Sequence, residues 1–431
     1  MLVDFIFKLM QRNILYLIIG LLTVLSCDAP DYPQTYPLIL TQPADNITSA
    51  GARFNGKFES IGSDQKIMDY GFVWNMQSNP TIYNSSRLSL GSTPTHDFFG
   101  MATEGMIAGK TYYVKSYVIT DRVTIYGPAV DFKSEGSPTS WKKISDTTPL
   151  GNAAGVSPVV YNGMIYCLYG NLFYSYDVTA NTWTAKANFP GGSRIGASAF
   201  TINGTLYYGF GKYTGEFSTS YYKDIFAYDP VADTWTTVMA SASVATRSSA
   251  VTFVIGSKAF IGFGEGPTAL NDFYEFDPFA VSFKSIPTSL QNVKSANASS
   301  FVLNGKGYLV GVEKPGSQTS PSADVYEFDP AALTFSKKAD FPNTLIATNN
   351  IASATTGYVF SQPPFNFNNK IYGYDQVKNV WTANEIFPGT GRYLATTAFV
   401  NGKIYFGNGF SVISQNGPPK PTPDLWELTV K

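Results

Sequence analysis

The sequence predicts an all-β chain: a β-sandwich followed by a six-bladed β-propeller, closed by strands from both ends of the repeat region. Three observations carry this. From Trp141 onward a unit of about fifty residues recurs, the period of a propeller blade. Its clearest element is a six-residue strand ending on aspartate: LFYSYD (to Asp177), DIFAYD (to Asp229), DFYEFD (to Asp277), DVYEFD (to Asp329) and KIYGYD (to Asp375), with a variant sixth, DLWELT (to Thr429). In the first five copies a short turn leads to an aromatic that opens the next strand, Trp183, Trp235, Phe283, Phe335 or Trp381. The sixth runs out of chain before that aromatic, and the orphan WKKISD beginning at Trp141 supplies it. Each loose end completes the other, which fixes the count at six.

The N-terminus comes first in chain order. Lys8 and Arg12 precede an apolar stretch from Ile14 to Leu25, and Val24-Leu25-Ser26-Cys27 follows. A basic flank, an apolar core and a small residue before the cut predict a secretory signal over residues 1–26. With cysteine at the cut, the segment resembles a bacterial lipoprotein signal, which implies that Cys27 is lipidated and becomes the mature N-terminus. The alternative is an ordinary signal or anchor in which that cysteine is incidental. Residues 27–36, opening Cys27-Asp28-Ala29-Pro30-Asp31, read as a tether. Their acidity resembles the surface-export signals of Bacteroidetes lipoproteins and implies an outer-membrane or cell-surface location. Beyond the first thirty residues no apolar run is long enough to span a bilayer. Net charge is −1 and no basic block marks a nucleic-acid partner.

Residues 37–134 form the predicted sandwich, with alternating runs around Ala52–Phe58, Tyr70–Trp74, Phe98–Ala102 and Thr111–Val118. The stretch AGKTYYVKSYV (108–118) resembles the tyrosine-corner strand of fibronectin type III modules. That implies Tyr112, Val114, Ser116 and Val118 share the inner face and that the Tyr112 hydroxyl ties back to the preceding loop. The expected role is a spacer, followed by a hinge at 135–140 and the propeller at 141–431.

Within each repeat a hairpin precedes the aspartate strand. Asn162-Gly163, Asn203-Gly204, Asn304-Gly305 and Asn401-Gly402 sit between apolar runs, where a type I′ turn needs positive φ at both central residues. Ile255-Gly256 and Thr356-Gly357 occupy the same place with poorer turn chemistry. The aspartate closing each third strand accepts hydrogen bonds from its own turn amides. Together these features resemble the kelch repeat, although its glycine pair after the second strand is degraded to Phe210-Gly211 and Phe263-Gly264, or lost.

An antiparallel meander puts the short Asn-Gly and Asp turns on one face. The other face receives the variable loops Lys212–Lys223, Glu313–Ala323, Ser361–Asn369 and Asn408–Pro423, and is the expected working surface. Arg194, Arg247, Lys294 and Arg392 precede their blades' first hairpin turns by eight to ten residues on that face, with Asn152 and Asn349 in blades one and five. Around Arg194 the run SRIGAS resembles animal kelch domains, whose mouth arginines grip acidic side chains. The expectation is an anion-binding funnel; the competing structural reading has each arginine satisfying backbone carbonyls. Tyr213, Tyr221 and Phe365 are candidate stacking platforms beside Phe217, Tyr222, Phe367 and Phe410, for sugars or for their own loops.

Catalysis is constrained by inventory. The kelch-type copper radical oxidases need two histidine ligands, and the chain has one histidine, His96, in the first domain. No sialidase Asp-box occurs, and a serine or cysteine triad lacks its base. The two cysteines, Cys27 and Cys167, preclude a zinc cluster, and no metal or cofactor is expected. One enzyme family survives: the sialic acid mutarotases, kelch propellers that the chain resembles in blade count and basic mouth, with Glu216, Glu265 or Glu313 as candidate base. The sequence reading is therefore a non-catalytic surface lipoprotein whose propeller face binds a glycan or an acidic protein loop. The alternative is a mutarotase-like sugar isomerase.

Overall fold

The computed structural model describes residues 35–83, 85–103, 106–136, 140–268, 270–288, 290, 298–311, 322–342, 349–352, 355–360, 370–411 and 419–430. Every regular element among them is a strand. No described helix is long and apolar enough to cross a membrane.

The first domain packs two antiparallel sheets face to face. One holds Leu38–Thr48, Gly51–Ser60 and Asp97–Ala102. The other is centred on Thr111–Thr120, which pairs with Ile67–Asn75, Thr124–Tyr126 and Val130–Lys133. Strict alternation on Asp97–Ala102 and near-alternation on Thr111–Thr120 turn Phe98, Tyr112, Val114 and Val118 toward Phe54, Phe58, Phe72 and Trp74. Tyr112, Val114, Ser116 and Val118 are all buried. The Ile107 amide donates to the Tyr112 hydroxyl at 3.1 Å, so the phenol anchors the loop preceding its own strand.

Among the described residues, six four-stranded antiparallel sheets follow, arranged as blades of a propeller. From inner to outer strand, blade 1 runs Ser157–Tyr161, Met164–Tyr169, Leu172–Asp177 and Thr182–Ala185. Blade 2 runs Ser198–Ile202, Thr205–Gly209, Ile225–Asp229 and Thr234–Met239. Blades 3, 4 and 5 begin at Val251–Ile255, Ser299–Leu303 and Asn349–Ala352. Blade 6 takes Thr396–Val400, Lys403–Gly407 and Leu425–Thr429 from the C-terminal end and Trp141–Ser145 as its outermost strand. Leu428 lies opposite Trp141, and the six innermost strands neighbour one another in a closed ring. Pairing the two ends leaves the last sheet no open outer edge at Leu425–Thr429.

The repeat residues form the turns of each blade, and two tryptophans tie a blade to the one before it. Asn162, Asn203, Asn304 and Asn401 all have φ near +50°, each followed by a glycine at positive φ, as the Asn-Gly turns require. Asp177, Asp229, Asp277, Asp329 and Asp375 each accept two turn amides. Trp235 and Trp381 donate through Nε1 to Ala187 and Ala339 of the preceding blade, at 2.8 and 3.1 Å. One turn differs from expectation. Gly357 does not sit in the blade 5 turn but opens the second strand, paired with Ala352. Its glycine is needed for packing, because a Cβ there would lie 2.3 Å from the Phe301 ring of the preceding blade. Cys167 is fully buried, and burial pushes its thiol up to about 12, which makes it inert.

Candidate functional site

Among the described residues, the first strands of blades 1, 2, 3 and 6 each start just after a residue in the left-handed region. Gly155, Gly196, Ser249 and Leu394, of blades 1, 2, 3 and 6, have φ of 71°, 62°, 51° and 53°. Backbone hydrogen bonds link them in series: Ser249 N–H to Gly196 O at 2.8 Å, Gly196 to Gly155 at 3.3 Å, and Gly155 to Leu394 at 3.2 Å. This rim opens on a channel cavity of about 250 Å³ whose lining includes Ser157, Ser198, Ser249, Thr252 and Ser300. The hydroxyls bridge blades: Ser157 donates to Ala197 O at 2.8 Å, Thr252 to Ser198 Oγ at 2.9 Å, and Ser300 to Thr252 O at 3.2 Å. None of the described lining residues is charged.

The arginines do not line this funnel. Arg194, Arg247 and Arg392 are among the most buried side chains of the protein, each with its side chain 0 % exposed. They repeat one arrangement. Each guanidinium reaches the carbonyl sixteen residues on, Phe210, Phe263 or Asn408, and ion-pairs with the aspartate just ahead of its own blade's third strand: Asp224, Asp272 or Asp424. Arg247 holds Asp272 through a symmetric fork of 2.8 Å contacts. Nε of Arg247 and of Arg392 donates to the carbonyl two residues back, at 3.2 and 3.1 Å. The acceptors Phe210, Phe263 and Asn408 have φ of 58°, 53° and 53°, and the following glycines lie near 90°. The degraded glycine pair is thus conformationally intact, with the arginine bonding its first carbonyl.

The anion-funnel expectation for these three residues is therefore corrected: their donors face inward, onto carbonyls and carboxylates of their own blades. In blade 4 the aspartate Asp324 takes Lys337, at 2.6 Å, from the outermost strand. Lys294, Phe365, Phe367, Glu313 and Cys27 lie outside the described residues.

Sequence reasoning missed the aspartate partners although the signal was present. Asp224, Asp272 and Asp324 head the motifs that close on Asp229, Asp277 and Asp329, and Asp424 heads the variant that closes on Thr429. The meander returns the start of the third strand to the end of the blade where the first strand begins, and so sets each aspartate beside its arginine.

The mouth's accessible groups stand on the exits of the second strands. Lys212 begins a two-stranded hairpin, Lys212–Thr214 with Thr219–Tyr221, and its backbone bridges Ile195. Glu265 bridges Ser248 in the same way one blade further on. Their side chains meet across the blade boundary, Lys212 Nζ to Glu265 Oε2 at 2.6 Å, and Tyr221 donates to Oε1 at 2.7 Å. Partial burial opposes ionisation of Glu265, but Lys212 and Tyr221 outweigh it and hold the carboxyl below its ordinary value. Burial and that same hydrogen bond push Tyr221 up to about 12. Tyr213 and Phe217 project from the hairpin, 49 % and 92 % exposed. Tyr222 instead covers the Arg194 guanidinium at 3.9 Å, and Phe410 packs near Tyr393.

The structure thus brings Tyr213 and Tyr221 together on one hairpin, whose first residue, Lys212, pairs with Ile195, the neighbour of the channel-lining Gly196. This arrangement presents hydrogen-bond acceptors, a phenol and stacking faces. Glu265 is engaged as a paired carboxylate rather than poised as a base. Groups of three or more metal-ligating side chains are absent among the described residues.

No family model matches the chain. It is similar to N-acetylneuraminate epimerase 2 of Escherichia coli O6:H1, 33 % identical over 133 residues, which cover 29 % of this chain and 35 % of that protein. It is also similar to N-acetylneuraminate epimerase of Escherichia coli K12, 34 % identical over 108 residues, covering 24 % of this chain and 29 % of that protein. The chain therefore spans about a third of the length of the curated relatives it matches. Among solved structures, that of YjhT superposes with a TM-score of 0.53 at 19 % identity, covering 67 % of this chain and 97 % of that one. The shared fold is an all-β propeller.

Proposed function

We propose that the protein is a lipid-anchored binding protein whose six-bladed, kelch-type propeller takes a glycan at the axial mouth on its variable-loop face. Cys27 carries the lipid, and the fibronectin III-like first domain lifts the propeller from the outer membrane. The observation that carries the reading is the mouth itself. Its channel lining includes Ser157, Ser198, Ser249, Thr252 and Ser300, and the same face carries the hairpin of Tyr213 and Tyr221 and the ion-paired Glu265, groups suited to sugar hydroxyls and ring faces. An acidic protein loop is the weaker ligand, because the arginines that would grip it are buried and ion-paired with Asp224, Asp272 and Asp424.

A second reading is a sialic acid mutarotase-like isomerase, favoured by the similarity to the N-acetylneuraminate epimerases. Anomer interchange needs a group to take the anomeric proton and one to protonate the ring oxygen. Glu265 and Tyr221 are the nearest pair to that description, although Lys212 ties the carboxylate.

Two assays on the full chain separate the readings. Binding predicts glycan-array signals that fall when Tyr213 and Tyr221 are both replaced by Ala, with unchanged anomer interconversion of N-acetylneuraminate followed by NMR. Acceleration of that interconversion, abolished by Glu265→Gln, would establish the isomerase instead.

A further inference from the structure

The two ends of the first domain are built differently. At one end stands Thr35, whose amide donates to Asp64 Oδ2 at 2.9 Å and whose hydroxyl accepts from the Ser63 amide at 3.1 Å. These bonds tie the entering chain to the loop between Gly51–Ser60 and Ile67–Asn75. The same loop is stitched to the turn after Thr111–Thr120. The Asp121 amide donates to Lys66 O at 3.0 Å, and Thr120 Oγ1 donates to Gln65 Oε1 at 2.6 Å. The chain leaves the sandwich toward the propeller at the opposite end, where Lys133 pairs with Thr111. The strand from Thr111 to Thr120 sets the two ends about 30 Å apart.

The entry end is apolar where it meets solvent. Tyr36, Leu38, Ile61, Met68 and Val123 stand there, 48, 51, 44, 52 and 39 % exposed. Elsewhere among the described residues of the sandwich, only Phe99 and Met101 are large apolar side chains left as open. Single exposed hydrophobics need no explanation, but several gathered at one pole call for an occupant. The two loops carry Asp64, Lys66, Asp121 and Arg122, whose charges cancel. Thr35 lies eight residues beyond Cys27, a separation of at most about 29 Å at full extension. A lipid on Cys27 therefore keeps this pole within that reach of the bilayer, at high effective concentration. We infer that the entry pole of the sandwich is a membrane-contact surface, seating Ile61 and Val123 in the headgroup boundary with the propeller carried at the far end. The inference rests on the lipid-anchor reading and adds a fixed orientation to it. Because the loop charges cancel, the contact needs no anionic lipid and is insensitive to salt.

The test uses the full lipidated chain in phosphatidylcholine vesicles. Ile61→Cys and Val123→Cys each supply one thiol for an environment-sensitive fluorophore, since the Cys27 thiol carries the lipid and Cys167 is fully buried. Lys110→Cys, exposed at the far end, is the control. On vesicles the labels at 61 and 123 should become several-fold brighter and blue-shifted, and be quenched by spin-labelled lipid at low and high salt alike. The label at 110 should behave as in water. Adding Val123→Asp to the chain labelled at 61 should lessen the quenching without changing fatty-acid incorporation. Normal incorporation with labels at 61 and 123 no more quenched than at 110 overturns the inference and leaves the anchor standing. A chain that incorporates no fatty acid removes the anchor and the inference with it. Shielding of the label at 61 that grows with protein concentration in lipid-free Cys27→Ala protein would show a second copy covering the pole, and also overturns the inference.

Discussion

Replacing Arg247 with alanine separates a structural arginine from a ligand-binding one. In the wild type the guanidinium is fully buried, forks onto Asp272 at 2.8 Å on both arms, and donates to Phe263 O at 3.1 Å and Ala245 O at 3.2 Å. Truncation strands a carboxylate and two carbonyls together. Breaking a buried pair costs about 3–5 kcal/mol. Asp272 is 26 % exposed and partly rehydrates, so the lower end, about 3 kcal/mol, is expected. Removing the carboxylate too, in Arg247→Ala with Asp272→Ala, should restore part of that loss, since no charge is then stranded. Arg247→Lys should fare little better than alanine, because a single ammonium cannot reproduce the fork and the two carbonyl contacts. Urea unfolding followed by tryptophan fluorescence, analysed as a double-mutant cycle, measures each term. An Arg247→Ala protein within about 0.5 kcal/mol of wild type, the range of an ordinary surface change, that nonetheless loses its ligand would refute this reasoning and restore the arginine to the binding site.

Other outcomes follow from the same structure. Deleting residues 140–146 should destabilise the propeller far more than trimming an exposed tail, because Leu425–Thr429 loses its outer partner; equal unfolding midpoints would count against ring closure. Asp424 is partly buried, which opposes ionisation, but Arg392 holds its carboxyl below the ordinary value. Its stabilisation is therefore complete above about pH 4 and is lost as pH falls through the lower folded value. Stability should drop between pH 4 and pH 2 in the wild type and less steeply in Asp424→Asn, as read by denaturant titration at each pH. Cys27→Ala should abolish incorporation of labelled fatty acid and release the protein from membranes; unlabelled wild type beginning at another residue would indicate an ordinary signal. Gly357→Ala should destabilise through its clash with Phe301, whereas Gly305→Ala, with open space at its Cβ, suffers only the strain of its φ of 73°.

The sequence by itself determined the repeat, its turns and its closure. Those rest on local chemistry: Asn-Gly pairs that accept positive φ, aspartates that bond their own amides, and an aromatic missing at one end but present at the other. It also located the variable face, because a meander assigns its loops alternately to two ends. Only the tertiary structure decided what the arginines repeated at the blade entries do. Arg194 is 30 residues from Asp224 and Arg392 is 32 from Asp424, and both pairs form because strands one and three of a blade start at the same end. A charge read along the chain looks available to a ligand until the fold shows which opposite charge has been brought beside it. Lys212 and Glu265 teach the same lesson across a blade boundary, 53 residues apart, where neither residue lies in a motif. Gly357 is the local counterpart: its neighbours suggested a turn, but an aromatic ring of the preceding blade dictates its side chain. Backbone preferences are written within a few residues of themselves, whereas the partner of a buried charge depends on how the chain returns.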